Sequence, residues 1–496
     1  MKDTKRTYSK IQEDFAKWDS ETRRLHRDAD LAARESMHRD DVAAAIDAYR
    51  AEEAWRVGDE IKALGMELAR DYPDSHLCKL VNDHLRREEK SHRMASIVKD
   101  LNEKLAKACS GFRFKVAPEP VRLGEIRALM ADLTEESDRA MLFSQLAALN
   151  EQIEPLIREG QRRLAQEDDM SLADYCRAFL QDEWQLSGNT AKLLCAMFSA
   201  GRQLVRLVNL DGCGLQDLFH YQRRSLDEAD AYFGPELPTE QCFQALTALG
   251  FDETQTRRIR VVVKSGLTTA HASALNLDED LCVEGSFSAG AWWFRVLVHE
   301  MGHCLCNIFM PKWPMIRGDP IYLYYEEIMA DLPAVAASTA QVLREVLTVD
   351  DVQAERIAAL IRRSRAIASV YAAVIADFSM RIWQDTSSSF DDVYAQVCAD
   401  YGLGKPEPGA FYPPVISNVL SPDFIAHAFR SCLSDLFLNL TLDRAARLWS
   451  PPIIAPLLIG ETYHLWSRCS VADYLLENGC KLEPGEILSS FVVSSA

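Results

Sequence analysis

The sequence predicts a mainly α protein with one small β region, and three observations carry that expectation. Long charged stretches place alanine, leucine and other apolar residues at helical spacing. A single segment, 259–288, is instead rich in Val, Thr and Ser over much of its length. Of the 496 residues, 48% are hydrophobic and 26% charged, a balance that supplies a large core inside a soluble surface. A chain of this length holds roughly two to four average domains, or one large helical body with subdomains.

From about residue 8 to 108 the pattern is of long, amphipathic, charged helices forming a hairpin. "DDVAAAIDAYRAEEAWRVGDEIKALGMELARDYPDS" (40–75) reads as one helix stopped at "YPDS". A second run, 76–111, ends at Gly111. The stretch "RFKVAPEPVR" (113–122) reads as a linker, which puts a boundary near residue 120 between an N-terminal helical region (1–120) and the remainder (121–496). Residues 123–225 are again helical, 259–288 forms a few strands, and helices resume at about 290–309 and 322–345. Proline clusters at 405–422 and 451–456 mark loops.

The formal charge of −19 argues against a nucleic-acid partner or an anionic membrane surface. The start, "MKDTKRTYSKIQEDF", lacks the apolar core of a secretory signal. No uncharged apolar run reaches the roughly 18 residues of a membrane span. Thirteen cysteines without a CxxC framework read as reduced thiols, so a cytoplasmic location is expected.

The chemistry concentrates in "VLVHEMGHCL" (297–306). Residues i and i+4 share one helical face, so His299 and His303 can offer two imidazole nitrogens to one cation. Glu300 is close enough to reach a water in the open quadrant of such a metal, the physical basis of the H-E-x-x-H zinc pattern. The bland alternative is two polar residues meeting by chance on a core helix flanked by Trp293, Val296, Leu297, Leu305 and Ile308. Cys304 and Cys306 lie nearby, but Cys304 directly follows His303 and points elsewhere on a helix.

A zinc hydrolase needs a third protein ligand and an open fourth position. "YYEEIMADLPAV" (324–335) supplies Glu327 and Asp331 at i and i+4. One can bind the metal while the other accepts the remaining N–H of a ligand histidine. Glu326 is the rival ligand, but the position four residues on is Ala330, so no second carboxylate shares its face. A surface acidic patch is the alternative, against which stand the apolar neighbours Ile328, Met329, Leu332 and Val335. Pro333 removes a backbone donor and should kink this helix.

HExxH followed by E-x-x-x-D resembles the gluzincin metallopeptidases, and within them the angiotensin-converting enzyme family, with its thimet oligopeptidase and oligopeptidase F relatives. That family has HEMGH as it stands here and a glutamate opening E-x-x-x-D at the same separation, 24 positions after the second histidine. "HASAL" (271–275) resembles its "HASAW" segment. "PLIREGQRRLAQEDDMSLADY" (155–175) is similar to one of its helix pairs, and "VADYLLENGCKLEPGEIL" (471–488) to a shared C-terminal helix-turn. The likeness covers roughly 130–496; the first 120 residues match in helical character alone.

The resemblance implies a two-subdomain helical peptidase with a central cleft, lid helices from 1–120, and one zinc per chain held by His299, His303 and Glu327. Glu300 would be the catalytic base and Asp331 the partner of His299. His271 would hydrogen-bond the substrate, and the backbone at Ala272 and Ala274 would pair with an extended peptide. Read by itself, His271 is an isolated histidine of the kind that is more often structural. The stretch 409–430 departs from the family. Its substrate-anchoring lysine is missing, Ala426 or His427 stands near its tyrosine, and Tyr412 lies near its histidine. His427 and Tyr412 are therefore candidate oxyanion donors, with core packing an equal account of each. The expected function is a zinc-dependent peptidase acting on short peptides. A zinc amidase acting on a small biosynthetic intermediate, a non-catalytic peptide-binding module and a protease with one protein target are the alternatives. Oligomeric state has no signature in the sequence.

Overall fold

A computed structural model describes residues 6–39, 43–116, 120–184, 188–263, 270–274, 281–309, 320–384, 387–407, 409, 476–477, 479, 481 and 483–489. Helix takes up 75% of the interpretable residues and strand 4%, so the chain is mainly α. The N-terminal helices are α1 (Tyr8–Arg39), α2 (Ala43–Arg56), α3 (Asp59–Asp71) and α4 (His76–Gly111). Their apolar residues recur every three or four positions. Ile11, Phe15 and Trp18 of α1, Ile61, Leu64 and Leu68 of α3, and Leu77, Cys78 and Val81 of α4 bury together in a core of their own.

Two expectations for this region are corrected. The helix read across 40–75 is broken at Gly58, whose N–H turns back to the Trp55 carbonyl at 3.1 Å. Asp59 and Glu60 then open α3, where carboxylates favour the positive end of the helix dipole. The presumed linker at 113–122 carries a two-residue antiparallel ladder, β1 (Arg113–Phe114) with β2 (Val121–Arg122). Phe114 is fully buried in the larger core, so apolar burial pins a segment whose composition looked like a connection.

After a short 3₁₀ turn (Leu123–Glu125) come α5 (Ile126–Asp132), α6 (Glu136–Ser144), α7 (Ala147–Glu167), α8 (Leu172–Trp184), α9 (Gly188–Leu207), α10 (Asp217–Asp230), α11 (Thr239–Ala248) and α12 (Glu253–Thr256). The expected β region follows as β3 (Arg260–Val263), β4 (His271–Ala274) and β5 (Leu281–Gly285), in the order β3-β5-β4. β3 runs parallel to β5 and β4 antiparallel to it, with His271 opposite Glu284 and Ala274 opposite Leu281. β4 is therefore an edge strand among the described residues.

Helices resume with α13 (Ala291–Phe309), α14 (Pro320–Ala337), α15 (Ala340–Leu347), α16 (Asp351–Gln384), α17 (Phe390–Tyr401) and α18 (Pro484–Ser489). α14 runs as one helix through the buried Pro333, whose fixed φ is itself helical and whose ring costs one backbone hydrogen bond. One further correction falls here. The helix expected at 322–345 ends instead at Ala337. The hydroxyls of Ser338 and Thr339 donate to the carbonyls of Ala334 and Ala336 at 2.7 and 2.8 Å, competing with continuation of the helix. α16 is the one described helix long and apolar enough to cross a membrane, and 72% of its most apolar window is buried inside the fold. It is the central helix of the larger core, packed by α8, α9, α10, α15 and α17.

Candidate metal centre

α13 begins at a built corner. Gly290 has φ +105°, a backbone conformation that favours glycine. Asp230, at the end of α10, accepts the Ala291 N–H at 2.7 Å while Arg223 holds its other oxygen at 2.9 Å. A carboxylate there satisfies an orphan donor of the first turn and meets the positive end of the dipole. Along the helix Phe294, Leu297, Val298, Met301, Cys304 and Leu305 are buried. They follow the i, i+3, i+4, i+7 stripe that seats one face in the core. At about 100° per residue, His299 and His303 lie on the opposite face only about 40° apart, with Glu300 about 60° further round from His303.

α14 packs along α13 and brings Glu327 to the histidines. Glu327 Oε2 lies 3.6 Å from His299 Nε2, and Oε1 lies 3.8 Å from His303 Nε2. The imidazole rings are 4.9 Å apart and inclined at 86°. Ligand atoms of His299, His303 and Glu327 all lie within 4.8 Å of one another, and these three residues can hold a metal ion. Donors placed tetrahedrally about zinc at 2.0–2.2 Å are themselves about 3.4 Å apart. The two gaps from Glu327 exceed that by a few tenths of an ångström, so its carboxylate lies within reach of an ion held by either imidazole. Side-chain exposures of 13%, 14% and 26% for the three place the centre beneath the surface without sealing it.

Asp331, one helical turn beyond Glu327, has Oδ1 2.9 Å from His299 Nδ1. A carboxylate at Nδ1 favours the tautomer that carries its proton there, the one whose Nε2 can coordinate a metal on the Glu327 side. Asp331→Ala should lower metal affinity by about 10–100-fold with the helices intact, as measured by titration against a chromophoric chelator.

The sheet packs on the helix that carries the histidines, with both β4 and β5 against α13. The backbone at Ala272 and Ala274 shares one parity along β4, so both residues turn the same way along the strand; His271 opens that strand. Cys304 and Cys306 are buried in the core and belong to no metal-binding group among the described residues. Glu326 is one position back on α14, about 100° round the helix from Glu327. Tyr412 and His427 lie outside the described residues. Sequence reasoning missed Asp230, which comes from 61 positions away, and Gly302. A glycine inside a helical pattern was the available signal for the latter. No protein-family model matches the chain, and no curated protein matches it.

Proposed function

We propose that the protein is a zinc-dependent peptidase of the helical gluzincin type that cleaves short, unfolded peptides. One observation carries the reading: two imidazoles and a carboxylate converge within 4.8 Å while Asp331 orients His299 from behind. Two histidines and a glutamate form a catalytic zinc set that keeps a position open. A zinc ion held there supplies Lewis acidity and makes water acidic enough to lose a proton near neutral pH.

Glu300 takes the proton of the attacking water and returns it to the departing amine. Asp331 keeps His299 in the tautomer whose Nε2 can coordinate. The backbone at Ala272 and Ala274 on edge strand β4 receives an extended substrate as an added strand. His271 donates to the carbonyl oxygen as its negative charge grows, and His427 or Tyr412 from the 409–430 stretch supplies a further donor. The catalytic region forms a cleft between two helical subdomains, with α1–α4 as its lid, and that enclosure selects short chains over folded proteins.

The test is turnover of a quenched fluorescent peptide library by zinc-loaded and chelator-stripped protein, with product masses. Cleavage by the loaded form alone, restored when zinc is added back, is expected. No cleavage by the loaded form, or equal cleavage by both, would refute the reading. Internal cuts rather than C-terminal dipeptides are expected, because the converting-enzyme family's carboxylate-anchoring lysine has no counterpart here.

A further inference from the structure

We propose that Gly302 is a positioning residue, the spacer that sets the gap between the two histidines and Glu327 and so how tightly the centre holds its ion. The proposal rests on the metal-centre reading above. A Cβ at residue 302 would lie 2.5 Å from the Ala330 carbonyl oxygen, 2.7 Å from its Cα and 3.0 Å from its carbonyl carbon. All three are backbone atoms of α14, so no side-chain rotation relieves the overlap. Ordinary contact for a Cβ begins at 3.4 Å, and any substituent at 302 must therefore drive the two helices apart by roughly 1 Å at this point.

The ligands flank this contact. Gly302 directly precedes His303, and Ala330 lies between Glu327 and Asp331. A separation forced here passes straight into the Glu327–His299 and Glu327–His303 gaps, now 3.6 and 3.8 Å. Two donors on one zinc, each bonded at about 2.1 Å, can be no more than about 4.2 Å apart even when directly opposed. The present gaps fall inside that limit, and gaps wider by roughly 1 Å fall outside it. Glycine is otherwise a poor choice for mid-helix, where alanine is the best residue. Its place in α13 is explained by the contact with α14 and not by the needs of α13 itself.

Four full-length proteins test this: the wild type, Gly302→Ala, the double variant Gly302→Ala/Ala330→Gly, and Glu327→Ala. Zinc affinity is read by chelator competition, cobalt(II) coordination by visible absorption, and helix content by circular dichroism. Gly302→Ala should lose at least about a hundredfold in zinc affinity, the upper end for losing a group that merely orients a ligand, and should lose the cobalt spectrum with its helix content retained. The double variant should be no better, since the overlap is with backbone. Wild-type affinity in Gly302→Ala, recovery in the double variant, or loss of helix content in Gly302→Ala would each overturn the spacer role. A wild type that binds no zinc, or binds it no better than Glu327→Ala, would instead overturn the metal centre itself.

Discussion

Glu300→Gln is expected to bind zinc as the wild type does and to cleave peptides roughly 10²–10⁴-fold more slowly, the usual contribution of a positioned general base. The amide has the shape of the carboxylate but cannot take a proton from water. His299, His303 and Glu327 are untouched, and residue 300 lies off the buried stripe of α13, so neither the ligands nor the core is altered. The measurement is kcat on a fluorogenic peptide beside the zinc content of the same sample. Equal rates in the two proteins, or no rate in either, would remove Glu300 from the role of base.

Glu327→Ala is expected to abolish zinc binding while leaving the helices in place. Two neutral imidazoles remain, short of the three protein ligands that a catalytic zinc keeps. Alanine favours the helix, and the lost side chain is 26% exposed, so the fold has little to lose. Stability offers a second readout. A ligand at a hundred times its Kd stabilises the native state by about 2.7 kcal/mol, so zinc should raise the unfolding midpoint of the wild type and leave that of Glu327→Ala unmoved. Zinc retention at wild-type affinity would point to a different third ligand.

What the sequence made legible was periodic and local. The 3.6-residue pattern announced the helices, and the i, i+4 rule placed His299 with His303 and Glu327 with Asp331. The change in composition at 259–288 marked the one three-stranded sheet among the described residues. The misreadings came from two sources, burial against distant segments and local hydrogen bonds that end a helix early. Burial of Phe114 turned a linker into a ladder, and hydroxyls at Ser338 and Thr339 ended a helix that periodicity would have prolonged. The Asp230 cap on α13 and the Gly302–Ala330 approach need two chain segments in register, which no local pattern encodes. Pro333 carried a real signal, a missing donor, but the surrounding packing accommodates it.

α4 belongs to two cores. Its first turns bury Leu77, Cys78 and Val81 with α1 and α3, and its later turns bury Met94, Ile97, Leu101 and Leu105 in the larger core. As 36 residues of continuous helix it is a rod about 54 Å long, gripped at one end and loaded at the other. One continuous helix therefore ties the packing of the N-terminal helices to that of the larger core.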